Sequence, residues 1–263
     1  MVMIGELLHQ LGMGLAALLT AMTVGALLWY GIRRQWGCLT VALVTIFLAG
    51  LLLVPPPAPS FDACEPEPPA IGETVTKQYN WTHGGRHYQL SMELSTGDYY
   101  SARQTARGTV TLDSYALYLV PDDLAVIALA ESIEALSGDP ATLALSFVRS
   151  LDYRADLDYH GVEEYPKYPI ETLMDSGGDC EDLAILYVSV MHALDRPAVL
   201  LAMLDTPMGG HMAAGISGPY GGANVTHDRT VYYYAETTAA MDIGRVPMEI
   251  SWDDMTVHVL GAR

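Results

Sequence analysis

Hydrophobic positions divide the chain into two uncharged apolar runs near the amino terminus and a mixed remainder. The runs cover residues 11–32 and 38–54, and each is within or near the roughly 17–25 residues that a helix needs to cross a bilayer. The loop between them carries Arg33 and Arg34, which the positive-inside rule assigns to the cytoplasm. We therefore predict a two-helix transmembrane hairpin, with the amino terminus and everything after the hairpin outside the cell.

A proline-rich segment, PPPAPSFDACEPEPPA, follows the hairpin at residues 55–70. Seven of its sixteen residues are proline, which disfavours helix and sheet and extends the chain by about 3.1 Å per residue. This composition predicts a semi-rigid stalk, so that residues 71–263 form one folded domain. Two glycosylation sequons, at Asn80 and Asn224, agree with an external location.

The first half of the folded domain combines strand-like alternation with helical periodicity. Alternation occurs at residues 75–82 and 86–95 on either side of a Gly-Gly pair, which predicts a β-hairpin. Residues 101–118 are expected to continue this sheet or to cross over it. Two amphipathic helices and a polar loop should follow, at residues 122–136, 139–151 and 152–169.

An apolar helix is predicted to begin at Cys180. From there onward apolar residues recur with a 3.6-residue period, and the other faces are apolar too, so the helix should be enclosed by its domain. The segment that leads from Tyr168 to this helix is expected to be extended and to end in a turn at Gly177 and Gly178. Four strands should follow, at residues 198–204, 210–216, 231–237 and 256–260. This order indicates an α+β fold, with the Cys180 helix packed on an antiparallel sheet.

Charge and cysteine usage narrow the range of partners. The chain has a net charge of −18, and setting aside Glu6, Arg33 and Arg34 leaves 11 basic and 30 acidic residues, or −19. Such a balance argues against nucleic acid and anionic lipid as partners. Of the three cysteines, Cys38 lies in a predicted span and Cys64 on the stalk, so no disulfide is expected within the domain. Cys64 could cross-link two stalks, and the oligomeric state stays open.

Cys180 is a candidate nucleophile because a helix start offers unpaired backbone N–H groups that favour a thiolate. A nucleophilic cysteine needs a base, and the base needs a third group that orients it. His211 opens one predicted strand, and Glu236 lies near the end of another. Adjacent antiparallel strands could place Glu236 beside the imidazole of His211. We therefore predict a Cys180–His211–Glu236 triad.

Three carboxylates flank the candidate nucleophile, those of Asp179, Glu181 and Asp182. Negative charges disfavour a thiolate. We expect these groups to point to solvent, so that the imidazolium of His211 outweighs them and lowers the thiol pKa below its usual value of about 8.5. A zinc site built on the same residues lacks a second histidine or cysteine at ligand spacing. We therefore expect no metal and no cofactor.

These motifs resemble the transglutaminase-like superfamily of papain-like thiol enzymes, in a branch common in archaeal proteins. The matching segments are a tyrosine-x-x-aspartate lead-in at 153–156, YPIETL at 168–173, GDCED at 178–182, GHMA at 210–213 and YYAETT at 233–238. The resemblance implies a transglutaminase-like core in which Cys180 takes the nucleophile's place, His211 the base's and Glu236 the orienting carboxylate's. Many members carry aspartate at the third position, where this chain has glutamate.

The function implied by the resemblance is acyl transfer on peptide or protein amides. Water as the acceptor would make the protein a peptidase or amidase, and an amine would make a cross-link. The backbone N–H of Cys180 is the expected oxyanion donor, with the hydroxyl of Tyr168 or Tyr165 as a second. The alternative is a non-catalytic interaction module of the cell envelope that keeps this fold.

Overall fold

The computed structural model describes residues 72–207 and 209–262. The predicted hairpin and stalk, with Cys38 and Cys64, lie outside these ranges. The chain divides into two units, Met1–Glu67 and Pro68–Arg263, and the described residues belong to the second. Within the described ranges, no helix combines the length and the apolar character needed to traverse a lipid bilayer.

The described residues form a mixed arrangement of helices and mainly antiparallel strands. In chain order the elements are β1 (Thr74–His83), β2 (Arg86–Ser95), α1 (Thr96–Gln104), a 3₁₀ turn (Leu112–Tyr118), α2 (Leu124–Glu134), α3 (Pro140–Val148), β3 (Asp152–Tyr153), α4 (Asp156–Tyr159), α5 (Pro169–Asp175), β4 (Gly177–Gly178), α6 (Cys180–Ala193), β5 (Ala198–Thr206), β6 (Gly209–Ile216), β7 (Asn224–His227), β8 (Thr230–Ala235), a second 3₁₀ turn (Trp252–Asp254) and β9 (Val257–Leu260).

The first hairpin and the two amphipathic helices are confirmed. Strands β1 and β2 pair along their whole length, and both helices begin with an aspartate cap. The Asp123 carboxylate accepts the backbone N–H groups of Ala125 and Val126 at the start of α2, and the Asp139 carboxylate accepts that of Thr142 in α3. Such caps satisfy N–H groups that have no partner inside the helix.

The prediction for residues 101–118 is wrong, because they contain the end of α1 and a 3₁₀ turn rather than a strand. Helix α1 is polar and short, so its sequence gives little helical periodicity. It begins because the Ser95 hydroxyl accepts the backbone N–H of Asp98. Helix formation here depends on a cap directly after β2, which the alternation of the preceding strand conceals.

Helix α6 is the centre of the domain, and every residue from Glu181 to His192 is buried. It packs on β5 and β6 and against α2, α3 and α5. The sheet has the order β7-β8-β6-β5-β9 with antiparallel pairing throughout. The predicted enclosed helix on an antiparallel sheet is therefore confirmed.

The approach to α6 differs from the prediction of an extended segment. Residues 169–175 form helix α5, because Pro169 occupies its first turn and the Glu171 carboxylate accepts the backbone N–H of Tyr168 at 3.0 Å. Gly177 and Gly178 then pair in parallel with β3 instead of making a turn. A Cβ on Gly178 would lie 2.5 Å from the Asp182 side chain, so glycine is needed for the close approach of this strand to α6.

Candidate active site

His211 and Glu236 are brought together by the pairing of β6 with β8. His211 lies near the start of β6, and Glu236 directly follows β8. The two strands are antiparallel, with Ala214 opposite Ala235, so both side chains lie at the same end of the sheet. The Nε2–H of His211 donates to Oε2 of Glu236 at 3.0 Å. This bond leaves Nδ1 of the imidazole free to face another partner.

Glu236 is held as a carboxylate although it is buried. It accepts the Tyr234 hydroxyl on Oε2, and the backbone N–H and the hydroxyl of Thr238 on Oε1 at 2.9 and 2.7 Å. Burial alone would raise its pKa, but the bond and charge of His211, together with these donors, lower the pKa to about 2. Tyr234 and Thr238 could not be recognised from the sequence, because their functions depend on side-chain orientation at the end of β8.

Cys180 is the first residue of α6, and its sulfur lies at the edge of the sheet that carries His211. The backbone N–H of Met212, the residue after His211, lies near enough to the sulfur to lower the pKa of the thiol, against the larger effects that raise it. The thiol itself donates to Oε2 of Glu181 at 3.2 Å. Cys180 therefore lies beside the start of β6, with its hydrogen directed to a carboxylate.

The expectation that the flanking carboxylates point to solvent is wrong. Asp179, Glu181 and Asp182 are all buried, since the tight passage through β4 turns the start of α6 inward. Burial, and then the charges of Glu181 and Asp179, raise the pKa of the Cys180 thiol well above its ordinary value. Burial and the neighbouring carboxylates also raise the pKa of Glu181 to about 11. The expected fall of the thiol pKa is therefore not seen, and the described arrangement favours a protonated sulfur.

A cluster of three buried carboxylates lies next to the sulfur, formed by Asp156, Asp179 and Glu181. One oxygen of each lies within 4.8 Å of the others. The Oδ1 atoms of Asp156 and Asp179 are buried without a hydrogen-bond partner in the described structure. Burial, followed by the charge of Asp179, raises the pKa of Asp156 to about 7. The sequence could not indicate this cluster, because Asp156 comes from α4 and reaches α6 only through the fold.

A buried lysine, Lys167, contacts the residues around the start of α6. The ammonium of Lys167 donates to the carbonyl of Gly177 at 3.1 Å and lies 3.4 Å from Oδ2 of Asp175 and 3.7 Å from Oδ2 of Asp182. The backbone N–H of Lys167 donates to Oδ1 of Asp182 at 2.7 Å, and that of Asp179 donates to Oδ2 at 3.4 Å. Asp182 thus joins the loop before α5 to the turn that carries Cys180.

The Tyr168 ring contacts Tyr118 and Arg107 in the part of the chain that the structure describes. Its centre lies 4.9 Å from that of the Tyr118 ring, and the guanidinium of Arg107 lies 5.5 Å from the same centre. The hydroxyl of Tyr165 donates to Glu171. None of these contacts supports an oxyanion function for either tyrosine, and that function stays a prediction. The tyrosines that interact electrostatically with Cys180 are Tyr115, Tyr153 and Tyr234.

Comparisons with known proteins show distant structural similarity. No family model matches the chain, and no curated protein matches it. Among solved structures, EGTA-treated LapG from Legionella pneumophila is 21% identical and covers 50% of this chain and 77% of its own, with a TM-score of 0.33. Calcium-bound LapG is 18% identical over 60% of this chain and 81% of its own, with a TM-score of 0.33.

A structure described as that of a TGase is 15% identical over 68% of this chain and 47% of its own, with a TM-score of 0.34. TM-scores below 0.5 give no argument about function, so the proposals below depend on the residues of this chain. The chain is accordingly a mixed α/β protein with distant likeness to LapG and a TGase, and its membership of the transglutaminase-like superfamily stays a prediction.

Proposed function

We propose that this protein is a cysteine acyl-transfer enzyme that acts on peptide or protein amides. The observation that carries the proposal is the convergence of three groups at one end of the sheet. The imidazole of His211 is oriented by a buried, ionised Glu236, and the sulfur of Cys180 lies near the backbone N–H of Met212, the residue after that histidine. In this assignment Cys180 is the nucleophile, His211 the base and Glu236 the orienting carboxylate.

The first half of the reaction forms a thioester. Nδ1 of His211 takes the thiol proton, and the sulfur of Cys180 forms a bond to the amide carbonyl carbon while the carbonyl π electrons move to oxygen. The backbone N–H of Cys180 would stabilise that oxyanion. When the C–N bond breaks, the imidazolium gives its proton to the leaving amine, so that atoms and charges balance.

The second half restores the thiol. Water, or a second amine, loses a proton to His211 and adds to the thioester carbonyl. The C–S bond then breaks, and the sulfur of Cys180 recovers the proton from the imidazolium. Water yields a carboxylic acid and an amine yields a new amide, which corresponds to hydrolysis or cross-linking.

Alkylation of Cys180 by iodoacetamide tests this assignment. We expect His211→Ala to lower the second-order rate constant at Cys180, near neutral pH, by about 10²-fold or more, because the sulfur loses its proton acceptor. Peptide mass spectrometry separates labelling of Cys180 from that of the other two cysteines. His227→Ala, at an exposed hairpin end, is the matched control and should leave the rate unchanged.

An equal alkylation rate in His211→Ala and the unaltered protein would contradict the proposal. It would favour the second candidate, a non-catalytic interaction module that keeps the fold. A specific observation favours that alternative, because the Cys180 thiol donates to Glu181 and burial raises its pKa. The alkylation series therefore decides between an enzyme and a binding module.

The sequence led us to expect no metal, but the carboxylates of Asp156, Asp179 and Glu181 fit a divalent cation. We propose that they hold one, with Ca²⁺ as the first candidate. All three donors are oxygens, the ligand type of Ca²⁺ and Mg²⁺. Two of their oxygens are buried without a hydrogen-bond partner in the described structure, which is costly unless a ligand satisfies them. A cation would supply positive charge that offsets the carboxylates around Cys180.

Thermal unfolding with added Ca²⁺ checks the cation proposal independently of activity. At a concentration of about 100 times Kd, binding should add about 2.7 kcal/mol of stability and raise Tm by several degrees. We expect Asp156→Asn to abolish this rise, whereas Asp158→Asn, on the exposed face of the same helix, should retain it. An equal Tm rise in the Asp156→Asn variant would contradict the assignment.

We further propose that residues 11–32 and 38–54 anchor the enzyme in the cell membrane, with residues 71–263 outside. The apolar runs and the Arg33-Arg34 loop support this arrangement. Protease added to intact cells should then degrade the region around Cys180 while the loop between the spans stays protected. Protection of both regions in intact cells would contradict this orientation.

A further inference from the structure

A cavity lined in part by α3 contains none of the residues of the carboxylate cluster. Its volume is about 770 Å³, within the usual range for small-molecule sites. One wall is formed by Thr142 and Leu145 of α3 and by Arg149, which directly follows the helix. The opposite wall is the segment that follows Glu236, residues 240–248.

Arg149 is the most informative residue of this cavity. Its Nε–H donates to the backbone carbonyl of Glu236 at 2.8 Å, which fixes the side chain against the end of β8. Its Nη2 is buried and has no hydrogen-bond partner in the described structure. Within the described residues, no carboxylate lies within 4.0 Å of this guanidinium. A buried cationic N–H without an acceptor is costly, so an external acceptor would stabilise it.

The charge of the cavity walls is opposite to that of the whole chain. Arg149, Arg245 and His83 line the cavity, against one carboxylate from Asp242. The chain as a whole has a net charge of −18. A local positive site on an acidic protein attracts anions that the rest of the surface repels.

The lining also includes the aliphatic side chains of Leu145, Met241 and Ile243. Met248 contributes too and is 94% exposed. Apolar walls with a few placed polar groups are the usual composition of small-molecule sites. The cavity therefore offers both cationic and aliphatic side chains to a ligand.

We propose that this cavity binds a small organic carboxylate with an aliphatic chain, whose carboxylate pairs with Arg149 and whose chain lies along Leu145 and Ile243. A guanidinium matches the planar, two-oxygen geometry of a carboxylate. A phosphate usually requires several converging cations or backbone N–H groups, and Arg245 is exposed. This site is independent of the proposed chemistry of Cys180.

Titration of the full chain with hexanoate, followed by ligand-observed NMR, tests the proposal. We expect saturable binding of one hexanoate, at least tenfold weaker in Arg149→Gln, because a hydrogen-bonded charge pair is lost. Arg229→Gln, in the exposed turn between β7 and β8, is the matched control and should bind as the unaltered protein does. Hexylammonium, which has the same chain and the opposite charge, should not bind.

A filling variant keeps the test valid if Arg149→Gln disturbs the fold. Ala240 lines the cavity and is exposed, so Ala240→Trp should occupy the space and abolish hexanoate binding while Arg149 stays in place. The absence of saturable hexanoate binding would overturn the proposal. Binding that survives Ala240→Trp, or tighter binding of hexyl phosphate than of hexanoate, would overturn it too.

Discussion

Replacing Glu236 with glutamine is expected to lower the reactivity of Cys180 on the order of 10²–10⁴-fold while the fold stays intact. Glutamine has the same shape and its carbonyl oxygen can still accept the two bonds from Thr238. It lacks the charge that stabilises an imidazolium, and the amide NH2 that replaces Oε2 can accept from neither His211 nor Tyr234. The measurement is the iodoacetamide rate constant at Cys180, with ¹⁵N chemical shifts of His211 to report its tautomer.

Glu249→Gln is the matched control for this substitution, because Glu249 is exposed. It should change neither the rate nor the histidine shifts. A Glu236→Gln protein that keeps both the full rate and the His211 tautomer would show that Glu236 does not orient the base. If the rate falls because the variant is destabilised, its Tm will be lower as well, so Tm is measured alongside the rate.

The free energy of unfolding should depend on pH in a way that reflects the lowered pKa of Glu236. The folded-state pKa of Glu236 is about 2, against an ordinary value of 4.5. Because the pKa is lowered on folding, the stabilising contribution is complete above pH 4.5 and is lost as the pH falls toward 2. The difference in unfolding free energy between the unaltered protein and Glu236→Gln should therefore shrink by roughly 3 kcal/mol across that window. A constant difference would contradict the lowered pKa.

Replacing Lys167 with methionine is expected to lower the free energy of unfolding by about 3–5 kcal/mol. The substitution keeps most of the volume but removes the ammonium that faces Asp175 and Asp182, both of which are almost fully enclosed. Those carboxylates would then be left without a cation in a region that already contains Asp179 and Glu181. Thermal unfolding should show a decrease in Tm of roughly 6–20 °C.

The matched control is Lys77→Met, since Lys77 is the only other lysine and is half-exposed on β1. Its Tm should change little, because no carboxylate lies within ion-pair distance of it in the described structure. Adding Asp182→Asn to Lys167→Met should recover part of the lost stability, which would assign the loss to charge rather than packing. If the double variant is no more stable than Lys167→Met, the charge explanation fails.

The parts of this structure that sequence could predict are those encoded locally. The aspartate caps of α2 and α3 and the apolar period after Cys180 specify their helices without reference to distant residues. The approach of His211 to Glu236 was predictable because antiparallel neighbours constrain which side chains meet. Continuing the register of β6 and β8 places Glu236 diagonal to His211, a distance that the longer glutamate side chain can span.

The parts that sequence could not predict depend on long-range burial. Asp179 and Glu181 were expected in solvent, because charged residues at a helix start are usually exposed. Their burial follows from Gly178, whose missing side chain lets β4 lie against Asp182, and from Lys167, which compensates that carboxylate. Asp156 joins them from α4, and no spacing rule connects it with Cys180.

The hydrogen bond from the Cys180 thiol to Glu181 has a consequence for oxidation. Peroxides attack thiolates rather than thiols, and the products beyond sulfenic acid are irreversible. A protonated sulfur among buried acids should therefore react slowly with peroxides, even where cellular reductants do not reach. The carboxylates that delay deprotonation of Cys180 would in this way preserve it for the moment when a substrate arrives.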